Sequence, residues 1–163
     1  MSETKKLSVN YAACIGCETC EYVCRFANET PRIHMARTRS GLMVPLYCHH
    51  CEDPHCVKVC KQGAIVVDAQ GVVLLNTMLC RGCDSRQCIQ ACPYAAMFET
   101  DKGVMLAKCD LCAARRRAGL EPACAEMCPT GAILYAVPET LKKAETPESL
   151  AAVERVLAHI RGK

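Results

Sequence analysis

Apolar residues in this chain come in short runs, not in long periodic stripes. Two of them, Ala64-Ile-Val-Val67 and Val72-Val-Leu-Leu75, flank Asp68-Ala-Gln-Gly71. β-Branched runs of that length around a polar linker predict a hairpin, with Gly71 able to take a positive φ. Strands are also expected at Lys6–Asn10, Arg32–Arg37 and Leu42–Tyr47, the last two flanking Thr38-Arg-Ser-Gly41 as a second hairpin. Short helical turns are expected at Cys20–Asn28, Cys56–Gln62, Cys88–Cys92 and Cys124–Cys128. The tail is different: Thr146 can cap a helix with Pro147 at its first position and Glu148 in its first turn. Leu150, Val153, Leu157 and Ile160 then form one apolar stripe, predicting an amphipathic helix over 147–161. Such a stripe needs a cover, either its own domain or a partner subunit.

Composition changes what these elements can pack against. The 163 residues include no Trp, two Phe and five Tyr, yet sixteen Cys. Small modules with so little aromatic volume are marginal without a covalent or metal staple. The cysteines fall into four groups: Cys14, Cys17, Cys20 and Cys24; Cys48, Cys51, Cys56 and Cys60; Cys80, Cys83, Cys88 and Cys92; Cys109, Cys112, Cys124 and Cys128. Four groups of four leave none over. A cubane iron–sulfur cluster takes four thiolates, and in two-cluster ferredoxins the last cysteine of a run ligates the companion cluster. The chain therefore reads as a carrier of four [4Fe–4S] clusters, which would form its core and leave the apo-chain largely unfolded. Zinc is the competing reading, but zinc sites usually draw two ligands from each short pair, whereas three cysteines crowd into Cys14–Cys20. Structural disulfides fit a secreted chain. The start, Met1-Ser-Glu-Thr-Lys-Lys-Leu7, lacks an apolar leader segment and twin arginines, so a cytoplasmic location without a membrane span is expected.

Groups two and three share one spacing and enclose the 64–75 hairpin, so residues 44–100 read as a complete two-cluster ferredoxin module. By elimination, groups one and four make an outer module from residues 1–43 with 101–137, and 138–163 form the tail. The fold class expected is α+β: two nested bacterial 2[4Fe–4S] ferredoxin-like modules with short hairpins and helices, plus a C-terminal helix. The interlaced ligand sets are Cys14, Cys17, Cys20 with Cys128; Cys109, Cys112, Cys124 with Cys24; Cys48, Cys51, Cys56 with Cys92; and Cys80, Cys83, Cys88 with Cys60. Charge then changes meaning. The apo-chain is formally +3, but four oxidised clusters with their thiolates bring the loaded chain to about −5. Its Lys and Arg offset cluster charge, and no nucleic-acid partner is expected.

With these motifs the chain resembles the four-cluster, ferredoxin-like electron-transfer subunits of molybdenum, tungsten and nickel oxidoreductases. The resemblance covers roughly residues 7–137. It rests on Cys14-Ile-Gly-Cys-Glu-Thr-Cys20, Pro31-Arg-Ile33, Cys48-His-His-Cys-Glu-Asp-Pro-His-Cys56, Lys108-Cys-Asp-Leu-Cys112, and Pro122-Ala-Cys124 with Cys128-Pro-Thr-Gly-Ala-Ile133. Such subunits serve formate dehydrogenases, formate hydrogenlyase, dimethyl sulfoxide reductase, carbon monoxide dehydrogenase and tungsten aldehyde oxidoreductases. The chain looks most like the cytoplasmic members, including the small subunit of the last. The resemblance implies a non-catalytic subunit relaying single electrons between a large pterin-containing subunit, oxidising aldehyde or formate, and a second partner. That partner would be a flavin or hydrogenase subunit, a ferredoxin, or another copy of the chain. A free polyferredoxin, or a partner of carbon monoxide dehydrogenase or hydrogenase, is the alternative. Lys61 stands where the family usually has proline.

Other residues are secondary. Lys61, Arg81 and Lys108 are candidates for raising cluster potentials, or else solvated charges. His49, His50 and His55 are expected as exposed loop histidines, not ligands. Arg115, Arg116 and Arg117 read as a solvated turn or a docking point for an acidic surface. Tyr11 and Tyr94 are expected to pack beside clusters. No GxGxxG, P-loop or Ser/His/Asp constellation is visible.

Overall fold

The computed structural model describes residues 4–39, 41–81, 83–100 and 106–144; the expected tail helix over 147–161 lies outside them. In chain order the elements are β1 (Lys6–Val9), α1 (Thr19–Asn28), β2 (His34–Arg37), β3 (Met43–Leu46), α2 (His55–Lys58), β4 (Ile65–Val67), β5 (Val73–Leu75), α3 (Gln87–Ala91), β6 (Phe98–Glu99), β7 (Leu106–Ala107), α4 (Ala113–Arg117), α5 (Ala123–Glu126), β8 (Ile133–Ala136) and α6 (Pro138–Ala144). The class is mixed α+β.

The strands form four separate antiparallel ribbons, β1–β8, β2–β3, β4–β5 and β6–β7. Alternation decides the first: Leu7 and Val9 are buried and their neighbours are not. They lie opposite Tyr135 and Ile133 in the register of β1 on β8. Antiparallel pairing of this kind buries one face and leaves the other to solvent. The β4–β5 hairpin turns as expected, with Gly71 at φ +74. The Asp68 carboxylate accepts the amide hydrogens of Gln70 and Val72, each at 2.8 Å, which fixes the turn as an Asx cap.

Helices pair as the ribbons do. α1 packs on α5 and α5 also touches β8, whereas α2 packs on α3 and touches β4. Ile33, Val44, Val72, Val73 and Leu111 are among the largest fully buried side chains. Cys20, Cys24, Cys48, Cys88, Cys109 and Cys124 are buried in the same core. Cysteine thus fills volume that aromatic residues fill in ordinary domains.

Several expectations need correction. The turn expected over Cys56–Gln62 is helical only from His55 to Lys58; a separate turn follows, in which the Gly63 amide, in the left-handed region, bonds back to the Cys60 carbonyl. Arg115–Arg117 is not a turn but the last part of α4. Ala and Arg are strong helix formers, and the Arg115 guanidinium pairs with Glu126. His50 is buried, at 4% exposure, and His49 is half-buried; only His55 is exposed as expected. The β6–β7 ribbon and α6 carried no strong local signal, although Pro138 suits a first helical position.

Candidate metal centres

One local design recurs at all four cysteine groups. The residue two before the third cysteine is a helix N-cap in each: Glu18, Pro54, Arg86 and Pro122. Cys20, Cys56, Cys88 and Cys124 therefore sit at the second helical position. Cys24, Cys60, Cys92 and Cys128 follow four residues later, about one turn on. The loops before these helices are wound by left-handed residues. Gly16, His50 and Leu111, each two places after its group's first cysteine, have φ of +68, +47 and +54. At Gly16 a Cβ would lie 2.7 Å from that of Met43, so the loop there needs glycine twice over.

Backbone amides converge on sulfur. The Cys24, Cys60 and Cys92 thiols accept from Arg32, Ala64 and Ala96 at 3.2, 3.3 and 3.4 Å. Cys48 and Cys109 accept from His50 and Leu111 at 3.5 and 3.4 Å. Three hydroxyls that sequence reasoning missed also lie beside sulfur: Thr19 at 3.4 Å from Cys17, Ser85 at 3.6 Å from Cys83 and Thr130 at 3.8 Å from Cys128. Their signal was a Ser or Thr two places after a cysteine. Donors of this kind stabilise charge on cluster sulfur and raise the potential.

Two hollows are each lined by four thiols. Cys48, Cys51, Cys56 and Cys92 line one hollow, walled also by Pro54, Val73, Tyr94 and Met97. Cys60, Cys80, Cys83 and Cys88 line another, with Val59, Ala64, Ile65 and Leu106. Cys20 is pushed up to about 12, by burial first and then by Cys14, Cys17 and Cys128, which crowd around it. Cys124 is pushed higher still, by burial and then by Cys109, Cys112, Cys24 and Cys20. Burial likewise raises Cys109 to about 12 and Cys56 to about 11. Cys128 goes the other way: burial works upward, but the amides of Ile133, Thr130 and Ala132 and the Thr130 hydroxyl outweigh it. Buried, mutually repelling thiols stay protonated until a cation compensates them, so loading releases protons.

The donor set suits iron–sulfur clusters. Four soft thiolates in an apolar hollow, with amides on sulfur, are cluster chemistry. Among the described residues no three His, Cys, Asp or Glu side chains converge as a single ion requires. A zinc ion holds its sulfurs at about 2.3 Å; a cubane, with iron at its corners, spreads its four thiolates farther apart.

The histidines serve as packing. His49 stacks between Tyr47 and Tyr94, with centroids 4.5 and 3.8 Å away, and burial lowers it to about 4. His50 Nδ1 accepts the Val73 amide hydrogen at 3.1 Å, leaving the proton on Nε2; burial and then Lys108 lower it to about 2. Tyr11 is buried, with its hydroxyl 3.5 Å from the Pro45 carbonyl. Lys61 and Arg81 are exposed, whereas Lys108 is buried.

Comparison with known proteins agrees with this chemistry. The 4Fe-4S dicluster domain profile matches residues 39–137. A subunit of the tetrathionate reductase of Salmonella typhimurium is 36% identical over 137 residues, covering 76% of this chain and 54% of that protein. The thiosulfate reductase electron transfer subunit PhsB of Salmonella typhi is 34% identical, covering 75% of this chain and 70% of its own. A polypeptide of the anaerobic dimethyl sulfoxide reductase of Escherichia coli is 33% identical over 83% of this chain and 74% of that one. The chain spans about half the length of the first of these relatives. It belongs to the 4Fe–4S dicluster family, an iron–sulfur protein whose sixteen cysteines fit four [4Fe–4S] clusters.

Proposed function

We propose that this chain is the electron-transfer subunit of an oxidoreductase complex, relaying single electrons between a molybdenum- or tungsten-pterin catalytic subunit and a second redox partner. The observation that carries this reading is the pair of hollows each lined by four cysteines, three from one sequence group and one from another. The ligand sets are Cys14/Cys17/Cys20/Cys128, Cys109/Cys112/Cys124/Cys24, Cys48/Cys51/Cys56/Cys92 and Cys80/Cys83/Cys88/Cys60. Contact of α1 with α5 and of α2 with α3 supports them, since each helix carries the third cysteine of one set and leads to the fourth of its companion. Residues 1–43 with 101–137 then form an outer module around 44–100. Relatives named as subunits of tetrathionate, thiosulfate and dimethyl sulfoxide reductases and of formate hydrogenlyase favour a reductase or formate-linked complex. Aldehyde oxidation has no counterpart among them. A cytoplasmic setting, where thiols stay reduced, suits the reading; among the described residues no helix is long and apolar enough to cross a membrane.

The clusters, when bound, supply one-electron redox capacity. The chain's part is to fix them. Thiolates one helical turn apart reach two neighbouring sites, which holds those sites at tunnelling range. Amide and hydroxyl donors on sulfur stabilise the added negative charge without rearranging, as preorganised dipoles do. The apolar walls keep solvent away.

The test is anaerobic purification with native partners, followed by iron, sulfide and metal analysis. About sixteen irons per chain and co-elution with a pterin-bearing subunit are expected. Cys128→Ser should remove the site of Cys14, Cys17 and Cys20 and spare that of Cys109. A chain that elutes alone and loaded is a free polyferredoxin; a colourless zinc protein overturns the reading entirely.

A further inference from the structure

Lys108 is 3% exposed, the most deeply buried charged side chain among the described residues. Its Nζ donates to the Cys109 carbonyl at 2.6 Å and to the Val73 carbonyl. Among the described residues no carboxylate oxygen lies within 4.0 Å of it. Burying an ammonium in that way is costly, because two carbonyls satisfy donors and leave the charge uncompensated. The two bonds also fix where the charge sits. Val73 is a wall of the hollow lined by Cys48, Cys51, Cys56 and Cys92; Cys109 belongs to the proposed set with Cys112, Cys124 and Cys24. Lys61 and Arg81, by contrast, are exposed and screened by water.

We propose that Lys108 is the shared counter-cation of these two sites, one in each proposed module, and that it makes them the more easily reduced pair where electrons cross between modules. The proposal rests on the ligand sets given above. Each thiolate-bound cluster is an anion that gains one further negative charge on reduction. A buried cation held between two of them stabilises that added charge most at those two, since the effect falls with distance and dielectric. The His50 ring in turn accepts the Val73 amide hydrogen, so both backbone groups of the residue that Lys108 binds are held in place.

The test is a redox titration of the full, anaerobically prepared chain, followed by electron paramagnetic resonance, with iron and sulfide measured on each sample. In Lys108→Gln two of the four reduction steps should move to more negative potential while two stay in place. The steps that move should be those that Cys51→Ser and Cys109→Ser abolish. Lys108→Arg, which keeps the charge, should bring both back toward the parent values. If Lys108→Gln fails to load, loss of about half the iron with a loaded Lys108→Arg carries the same conclusion. Four unmoved steps in a fully loaded Lys108→Gln, a uniform shift of all four, or iron lost equally from every site overturns it. Failure of the ligand sets appears separately, as a parent chain without four clusters or cysteine variants that abolish other steps.

Discussion

At Gly16 two constraints meet on one atom. The backbone is left-handed, at φ +68, and the space where a Cβ would stand is taken by Met43. Left-handed backbone costs a non-glycine residue about 1–2 kcal/mol, and overpacking adds about 1–3 kcal/mol. Gly16→Ala should therefore destabilise the Cys14–Cys20 loop by about 2–5 kcal/mol. Chelator challenge, read by absorbance, should show this site releasing iron first. Equal release rates in variant and parent would contradict the account. His50 and Leu111 hold the same loop position with side chains in place, so among the described residues at this position the left-handed conformation is shared and only Gly16 is also demanded by a neighbour. Sequence reading found the cysteines at once because their identity is the signal. It missed the burial of His50, since a short polar loop gives no periodicity from which an inward face could be read.

Among the elements, the β1–β8 ribbon and the α1–α5 contact bring residues near the start of the chain against residues beyond position 120. Ile133 lies at the centre of that closure, 4% exposed and opposite Val9. Ile133→Ala should cost about 2–5 kcal/mol. On the proposed ligand sets it should weaken iron binding at the outer pair of sites while the inner pair stays loaded. Val66→Ala, on the exposed face of β4, serves as the control and should change stability by no more than about 0.5 kcal/mol. Iron content after mild heating separates the two. The hairpin at 64–75 was legible because its turn chemistry is local: Asp68 and Gly71 suffice. β8 was not, because Ile133-Leu-Tyr-Ala136 becomes a strand through a partner far away in sequence. α4 escaped notice for a related reason, its three arginines reading as charge before they read as helix formers.

For the whole molecule, the absence of Trp and the shortage of Phe leave the aliphatic core thin, and seven buried cysteines complete it. Stripped of metal, those thiols are neutral, crowded and without a common centre to hold them. Removing iron under anaerobic conditions should abolish most far-ultraviolet circular dichroism, and reconstitution with iron and sulfide should restore it. An apo-chain that keeps its ellipticity would show that the ribbons and aliphatic residues suffice. Cofactor type and class of fold could be read from the chain because thiolate spacing carries both. The placement of Lys108 could not, since a lysine beside a cysteine looks the same in sequence whether it faces water or a protein interior.

The meeting of the first strand with the last regular ribbon partner also dictates an order of events at the ribosome. Cys48 through Cys92 emerge, with both hairpin strands between them, well before Ile133 is translated. Chains fold in units as they emerge. On the proposed pairing, the middle of the polypeptide can receive its cofactors first, and the outer sites must wait until Cys128 and β8 have also been made.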